Sequence, residues 1–495
     1  MRTAPVLLAL TLATCATLAA SGAAAQDLGE TAFENSGAGV AQAPFLRGVL
    51  LLHSFEYADA RDAFREAQEA DPAFAMAYWG EAMTHNHPVW MRQDRDAGLD
   101  ALARLDANAS EITPRERDYL QTLDVLFGRG AHDGYDKETR DDRYAVAMEA
   151  LAENHPDDLD AQAFYALALL GTAHEGRDFA TYMRAAAVAE EVFAANPRHP
   201  GAAHYLIHAY DDPVHAPLGL RAARVYADVA PAASHALHMP SHITLALGLW
   251  RDVRDSNRDS YHAARDASAR RGEALNGHGW HALWWWHYAA AQLADRPLAD
   301  SLLALANATH ASGATERSVA HVVRVRAQHA AAFDAWDALG TAPDGMGLST
   351  AAIDAHARGL AALAEGELDA AAQIHDALLD RITDAEAVPW QVRAASRSLG
   401  GHVFLARGDA ERALALHREA AAIETAAPLT FGPPAPTVPA NEALGHALLA
   451  TGDTGAAAAA FEAVLARSPN RREAVAALNF ARAEGMDTDE NARGR

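Results

Sequence analysis

Four histidines stand at spacings that bring them within reach of one another. His204 and His208 are four apart, His238 and His242 are four apart, and each member of the second pair follows its counterpart by 34 residues. On a helix a four-residue step sets two side chains on one face, about 5–6 Å apart at Cβ. Pro197 and Pro231, also 34 apart, each close an Ala-rich stretch, so the two pairs occupy the same places of two successive units. Neighbouring helices pack roughly 8–10 Å apart, and two pairs facing the same way converge on one volume. Four imidazoles, with Asp211 and Asp212 one turn beyond His208 and with His235 as an extra, form a donor set suited to zinc, copper, nickel or iron. The competing account packs these rings between helices, hydrogen-bonded to carbonyls or to Tyr205 and Ser241, or makes them a polar groove for peptide carboxylates.

A second aromatic group is His278, Trp280, His281, Trp284, Trp285, Trp286 and His287. Three consecutive tryptophans cannot share one helix face, so some pack in the core and others reach a groove, a loop or a partner. Trp280, His281, Trp284 and Trp285 are the candidates for a groove wall beside the histidine pairs. His85, Asn86, His87 and Trp90 precede or flank Pro88 and read as a capped loop. No HExxH helix, GxSxG elbow or Gly-rich dinucleotide turn is present. Catalysis would therefore run through a metal-bound water at the histidine pairs, with Asp211, Asp212 or Glu175 as base.

The elements that position these residues repeat. Gly48, Leu51, Ala60, Phe64, Ala67 and Pro72 recur in spacing as Gly445, Leu448, Ala457, Phe461, Val464 and Pro469. The pattern resembles the 34-residue tetratricopeptide helix-turn-helix. Small Gly and Ala let two helices approach, Phe fills the space between hairpins, and Pro ends the second helix. The expected fold is all-α: one right-handed superhelical solenoid over residues 26–495. Further hairpins fit Gly366–Leu378 and Gly401–Ala420, with His375 and His417 where Phe is usual, and an insertion fits Gly171–Phe179. Loops are expected near 128–142, 341–348 and 427–439. The strings HYLIHAYDDP and HALHMPSHI resemble those of exported bacterial tetratricopeptide proteins, although Tyr210 stands where those relatives tend to carry an acidic residue. This resemblance implies fold and export, with no secure activity; in the wider family the places of the paired histidines line the concave groove.

Composition narrows the function classes. Residues 1–25 read as a signal peptide, with Arg2, an apolar run from Val6 to Ala20, and Ala23–Ala25 before Gln26. A lipoprotein signal ending at Cys15 is the weaker alternative, because Thr14 is a poor residue before a modified Cys. Cys15 is the only cysteine, so a chain cleaved after Ala25 has no disulfide and no thiol chemistry. A net charge of -25 argues against nucleic acid, and the single Lys137 leaves P-loop chemistry without a motif. No later segment is long and apolar enough to cross a bilayer. The first functional expectation is a periplasmic or secreted scaffold binding a peptide or protein segment in its groove. The second is a metal-binding protein or metal-dependent enzyme.

Overall fold

The computed structural model describes residues 27–108, 112–435 and 437–493. The expected signal peptide and Cys15 lie outside the described residues. Within them the chain is a succession of antiparallel α-helical hairpins, the all-α tetratricopeptide-type superhelix expected from the repeat. The strand content is one short ladder pairing Asn86–His87 with Arg92–Gln93, inside the stretch expected as a capped loop. No helix among the described residues is long and apolar enough to cross a membrane.

The hairpins close for the reason the repeat implies. A Cβ added at Gly48 would stand 2.7 Å from the Phe64 ring, and one at Gly445 would stand 2.6 Å from Phe461. The same wedge recurs at Gly401, whose added Cβ would meet the His417 ring at 2.6 Å, so His417 fills the space that Phe fills elsewhere. Helix starts are fixed by side-chain caps: Asp158, Asp178, Asp409 and Asp453 each accept from a backbone N–H in the first turn. Each such cap stabilises its helix by about 1 kcal/mol. Asp136 caps in the same way and starts the Lys137–Asn154 helix. That corrects the expected loop over 128–142: it ends at Asp136, because a capping Asp outweighs the polar composition that follows. The residues ahead of the Leu348–Ala364 helix and those between Ala426 and Ala440 are irregular where described, as expected.

The array does not remain open. In a simple solenoid each repeat touches only its neighbours, but here distant hairpins meet. Arg271 donates to Asp59 (2.6 Å) and Asp62 (2.7 Å) of the first hairpin. Trp250 Nε1 donates to the Asn470 carbonyl at 2.9 Å, and buried Arg471 joins Glu442 to Tyr288. Gly248 (φ +66°) lies so close to the Pro469 carbonyl that a Cβ would come within 2.2 Å of it, which demands glycine there. The largest apolar core runs continuously from Leu28 to Ala246, with smaller cores around Trp280, Leu302 and Val322 and around Leu448 and Phe461. The paired histidines sit where the large core meets the later hairpins.

Candidate metal centre

Three helices carry the histidines. The Pro200–Tyr210 helix opens with Pro at its first position and His199 as its cap, and every one of its residues is buried. His204 and His208 therefore project into protein, not into an open groove. The next first helix breaks at Pro240, which cannot donate to the ladder, giving Ser234–His238 and Pro240–Ala246. Met239 stays in the helical region (φ -56°, ψ -35°), so His238 and His242 still share a face. The third helix, Gly277–Gln292, is capped by Asn276 and brings His281.

The structure divides the imidazoles into two adjoining triads. One nitrogen each of His204, His208 and His235 lie within 4.8 Å of one another, and so do one each of His238, His242 and His281. The triads abut, with ring centroids 5.7 Å apart for His208 and His242 and 6.0 Å for His235 and His238. The two pairs do come together as their spacing predicts, but each recruits a third ring. His235, expected as an extra, completes the first triad, and His281, expected on a groove wall, completes the second.

Hydrogen bonds assign the protons. His242 Nδ1 donates to Asp211 Oδ2 at 2.5 Å. His238 Nδ1 lies 2.7 Å from Asn257 Oδ1, and Asn257 Nδ2 donates to the Val253 carbonyl at 2.8 Å. Turning that amide over would set its oxygen against the carbonyl, so His238 Nδ1 is the donor. The two remaining Nε2 atoms face each other at 3.0 Å, and when both rings are neutral each presents a lone pair. In the first triad His204 Nδ1 donates to the His53 carbonyl at 2.6 Å. Its Nε2, the Nε2 of His235 and both ring nitrogens of His208 are buried without a hydrogen-bond partner.

Burial keeps these rings neutral. Desolvation pushes His204 down to about 3 and lowers His208, His235, His238 and His281 well below the ordinary histidine value, with neighbouring imidazoles adding to the effect. A neutral imidazole is the form that binds a metal. Aromatic walls complete the enclosure: Phe55, itself at φ +55°, packs on His204 with centroids 4.2 Å apart, Trp285 packs on His238 and His242 at 4.7 Å, and Phe431 covers His208 and His242 at 6.1 and 6.0 Å.

The remaining candidates fall outside the donor groups. Asp211 orients His242 instead of joining a triad, and Asp212 pairs with Arg177 (3.1 Å) and His215 (2.9 Å). Glu175 is exposed. Trp280 and Trp285 are buried, and half-buried Trp284 donates to Gln328 at 3.0 Å. His87 stacks on Tyr57 at 3.9 Å, and Trp90 reaches His235 at 6.2 Å, so the supposed loop is part of the site's outer wall.

Sequence reasoning missed a third group, His53, Asp160 and His199, whose ligand atoms also lie within 4.8 Å. Its residues are 107 and 39 apart in the chain, and no local spacing announces it. His53 Nε2 donates to Asp160 Oδ1 at 2.9 Å, Tyr205 donates to His53 Nδ1 at 2.9 Å, and Thr31 donates to Asp160 Oδ2 at 2.6 Å. Desolvation pushes His53 down to about 4. Burial works to raise Asp160, but hydrogen bonds from His199 and His53 outweigh it and hold the carboxyl far below its usual range.

With the geometry described, the chain is an all-α superhelix of helical hairpins around two buried imidazole triads. No family model matches it, and the comparison with curated proteins finds no match. Among solved structures it is similar to yeast Tom70 (12% identity, 91% of this chain, 89% of that one, TM-score 0.41) and to Cut9 in the Cut9–Hcn1 hetero-tetramer of APC/C (14%, 91%, 78%, 0.37). It is also similar to the P58(IPK) TPR domain (13%, 90%, 99%, 0.24). At these identities and scores the likenesses carry nothing about ligand or partner.

Proposed function

We propose that this chain is a transition-metal-binding protein whose ligands are His204, His208, His235, His238, His242 and His281. The observation that carries the reading is the pair of Nε2 atoms of His238 and His242, 3.0 Å apart with both Nδ1 atoms already committed to acceptors. Two facing nitrogens at that distance in a buried site need a positive charge between them, either a shared proton or a metal ion, and the four partnerless nitrogens beside them favour the metal ion. Nitrogen-only donors suit zinc, copper, nickel or iron and not magnesium or calcium. Asp211 behind His242 and Asn257 behind His238 are the outer partners that fix ring tautomer and direction in metal sites. The test is elemental analysis of untagged protein equilibrated with each of the four metals. At least one equivalent is expected, and less than a tenth of an equivalent of every metal overturns the reading.

A second reading, a scaffold for a peptide or protein segment, is favoured by a different place. A cleft of about 610 Å³ lies between the Pro114–Phe127 and Lys137–Asn154 helices, lined by Asp118, Gln121, Asp124, Arg129, His132 and Ala147. It is open, and Val125, Ala150 and Leu151 line it beside the acidic Asp118 and Asp124, so it suits a side chain with an apolar stem and a basic end. The apolar Val6–Ala20 run ahead of Ala23–Ala25 supports placing the protein in the periplasm or outside the cell. An amino terminus at Gln26 in intact-mass analysis is the expected result.

A further inference from the structure

The six imidazoles are divided three and three, and that division bears on how many ions the cluster takes. Resting on the metal-binding reading, we infer that the cluster holds two monovalent copper ions side by side, one in each triad.

The number follows from the grouping. A single ion would gather the four paired histidines, but the nitrogens close up as His204–His208–His235 and His238–His242–His281. Each triad supplies three imidazole nitrogens and no oxygen. Between them stand only imidazoles: His208 faces His242 and His235 faces His238, at ring separations of 5.7 and 6.0 Å. No side chain separates the two sets, so two ions would sit as close neighbours in one enclosure.

The charge on the ions follows from what is bonded to the cluster. Asp211 accepts from His242, and Glu56 accepts from the His235 backbone N–H at 3.0 Å. Asp212 bonds Arg177, whose guanidinium donates to the His208 carbonyl at 2.7 Å. With His215 on Asp212 and His278 near Glu56 counted as neutral, three carboxylates and one guanidinium leave two negative charges. Two monovalent ions balance them, whereas two divalent ions would leave two positive charges in a buried site walled by Phe55, Trp285 and Phe431. Burying uncompensated charge is strongly unfavourable. Of the metals that imidazole binds well, copper is the one with a stable monovalent state, and three nitrogens with no oxygen suit it.

The experiment is anaerobic titration of the untagged full chain with copper(I), read by elemental analysis after desalting, with zinc(II) titrated in parallel. Two equivalents of copper(I) are expected, falling to one in His235→Ala and to one in His281→Ala. X-ray absorption at the copper edge of the unsubstituted protein gives a readout that does not depend on the variants folding, and it should show three imidazole nitrogens per copper. One equivalent in the unsubstituted protein, or two retained in both variants, would overturn the pair while leaving metal binding intact. Two equivalents of zinc displacing copper(I) would overturn the charge assignment. Failure of every metal to bind would sink the metal-binding reading itself.

Discussion

Two regions of this molecule gather metal-ligand side chains, three in one and six in the other as two sets of three, each set within 4.8 Å, yet the regions differ in where their protons go. In the His53–Asp160–His199 knot every polar atom but His199 Nε2 is matched. Asp160 takes His53 and Thr31 on its two oxygens, Tyr205 serves His53 Nδ1, and His199 Nδ1 accepts from the Ala202 N–H while its Nε2 lies 3.4 Å from Asp160. In the His204–His281 cluster the outer nitrogens are matched and the inner ones are not: four stand buried without partners, and two more face each other as lone pairs. Proximity of ligand types therefore does not define a metal site. A carboxylate at the centre makes a hydrogen-bonded lock, and its absence leaves nitrogens that need a cation.

The largest expected effect tests what the two groups share, which is buried neutral imidazole. Unfolded, these rings take up a proton near 6.5; folded, His53 does so only at about 4 and His204 at about 3. The unfolded chain thus binds more protons as the pH falls through that window, and acid favours unfolding. Each such ring should cost about 1.4 kcal/mol per pH unit between roughly pH 6.5 and its folded value. Urea unfolding of metal-free protein at pH 7 and pH 5.5 measures this, and equal midpoints would mean the rings are not buried in the neutral form.

The comparison is sharpest when one group is cut and the other left whole. Asp160→Ala orphans donors from His53 and Thr31 and should destabilise the fold by about 3 kcal/mol, with metal content unchanged. In the cluster, His208→Leu removes two unpartnered buried nitrogens and should raise the stability of metal-free protein by about 1 kcal/mol while lowering its metal capacity. Denaturant melts beside elemental analysis read both. A large loss of stability in His208→Leu would show that the ring is held by packing. Smaller still, Asp211→Asn should weaken metal binding about 10- to 100-fold through His242 and barely move the melt; unchanged affinity in a competition assay with a chelator would detach Asp211 from the site.

The legible part of this site was its local part. His204, His208, His238 and His242 stand at helical and repeat spacings, and both spacings survive in the structure. His281 escaped because it follows His238 by 43 residues and not 34, the intervening Trp250–Arg271 helix having 22 residues where Ala216–Val229 has 14. His235 was ambiguous because a three-residue offset from His238 also fits one helix face, and only the tertiary packing turns it to the other triad. The fold was read from Gly–Phe wedges such as Gly48–Phe64 and Gly445–Phe461, which are short-range. The ring closures by Arg271 and Asn470 were not legible, because contacts more than 200 residues apart leave no periodic trace.

Those closures bear on how the site comes into being. Phe55 and Phe431 both pack on His208 although 376 residues separate them in the chain. A linear stack can start folding at any hairpin, but this enclosure waits for its most distant contacts, and high contact order slows folding. During that wait the four-residue pairs His204–His208 and His238–His242 can each form within a single turn of helix. An ion met early would be caught by two ligands and offered a third only as the hairpins dock. If the cluster takes metal, filling would then follow the folding of the chain, and Phe431, far along the sequence, is among the last of its walls to be made.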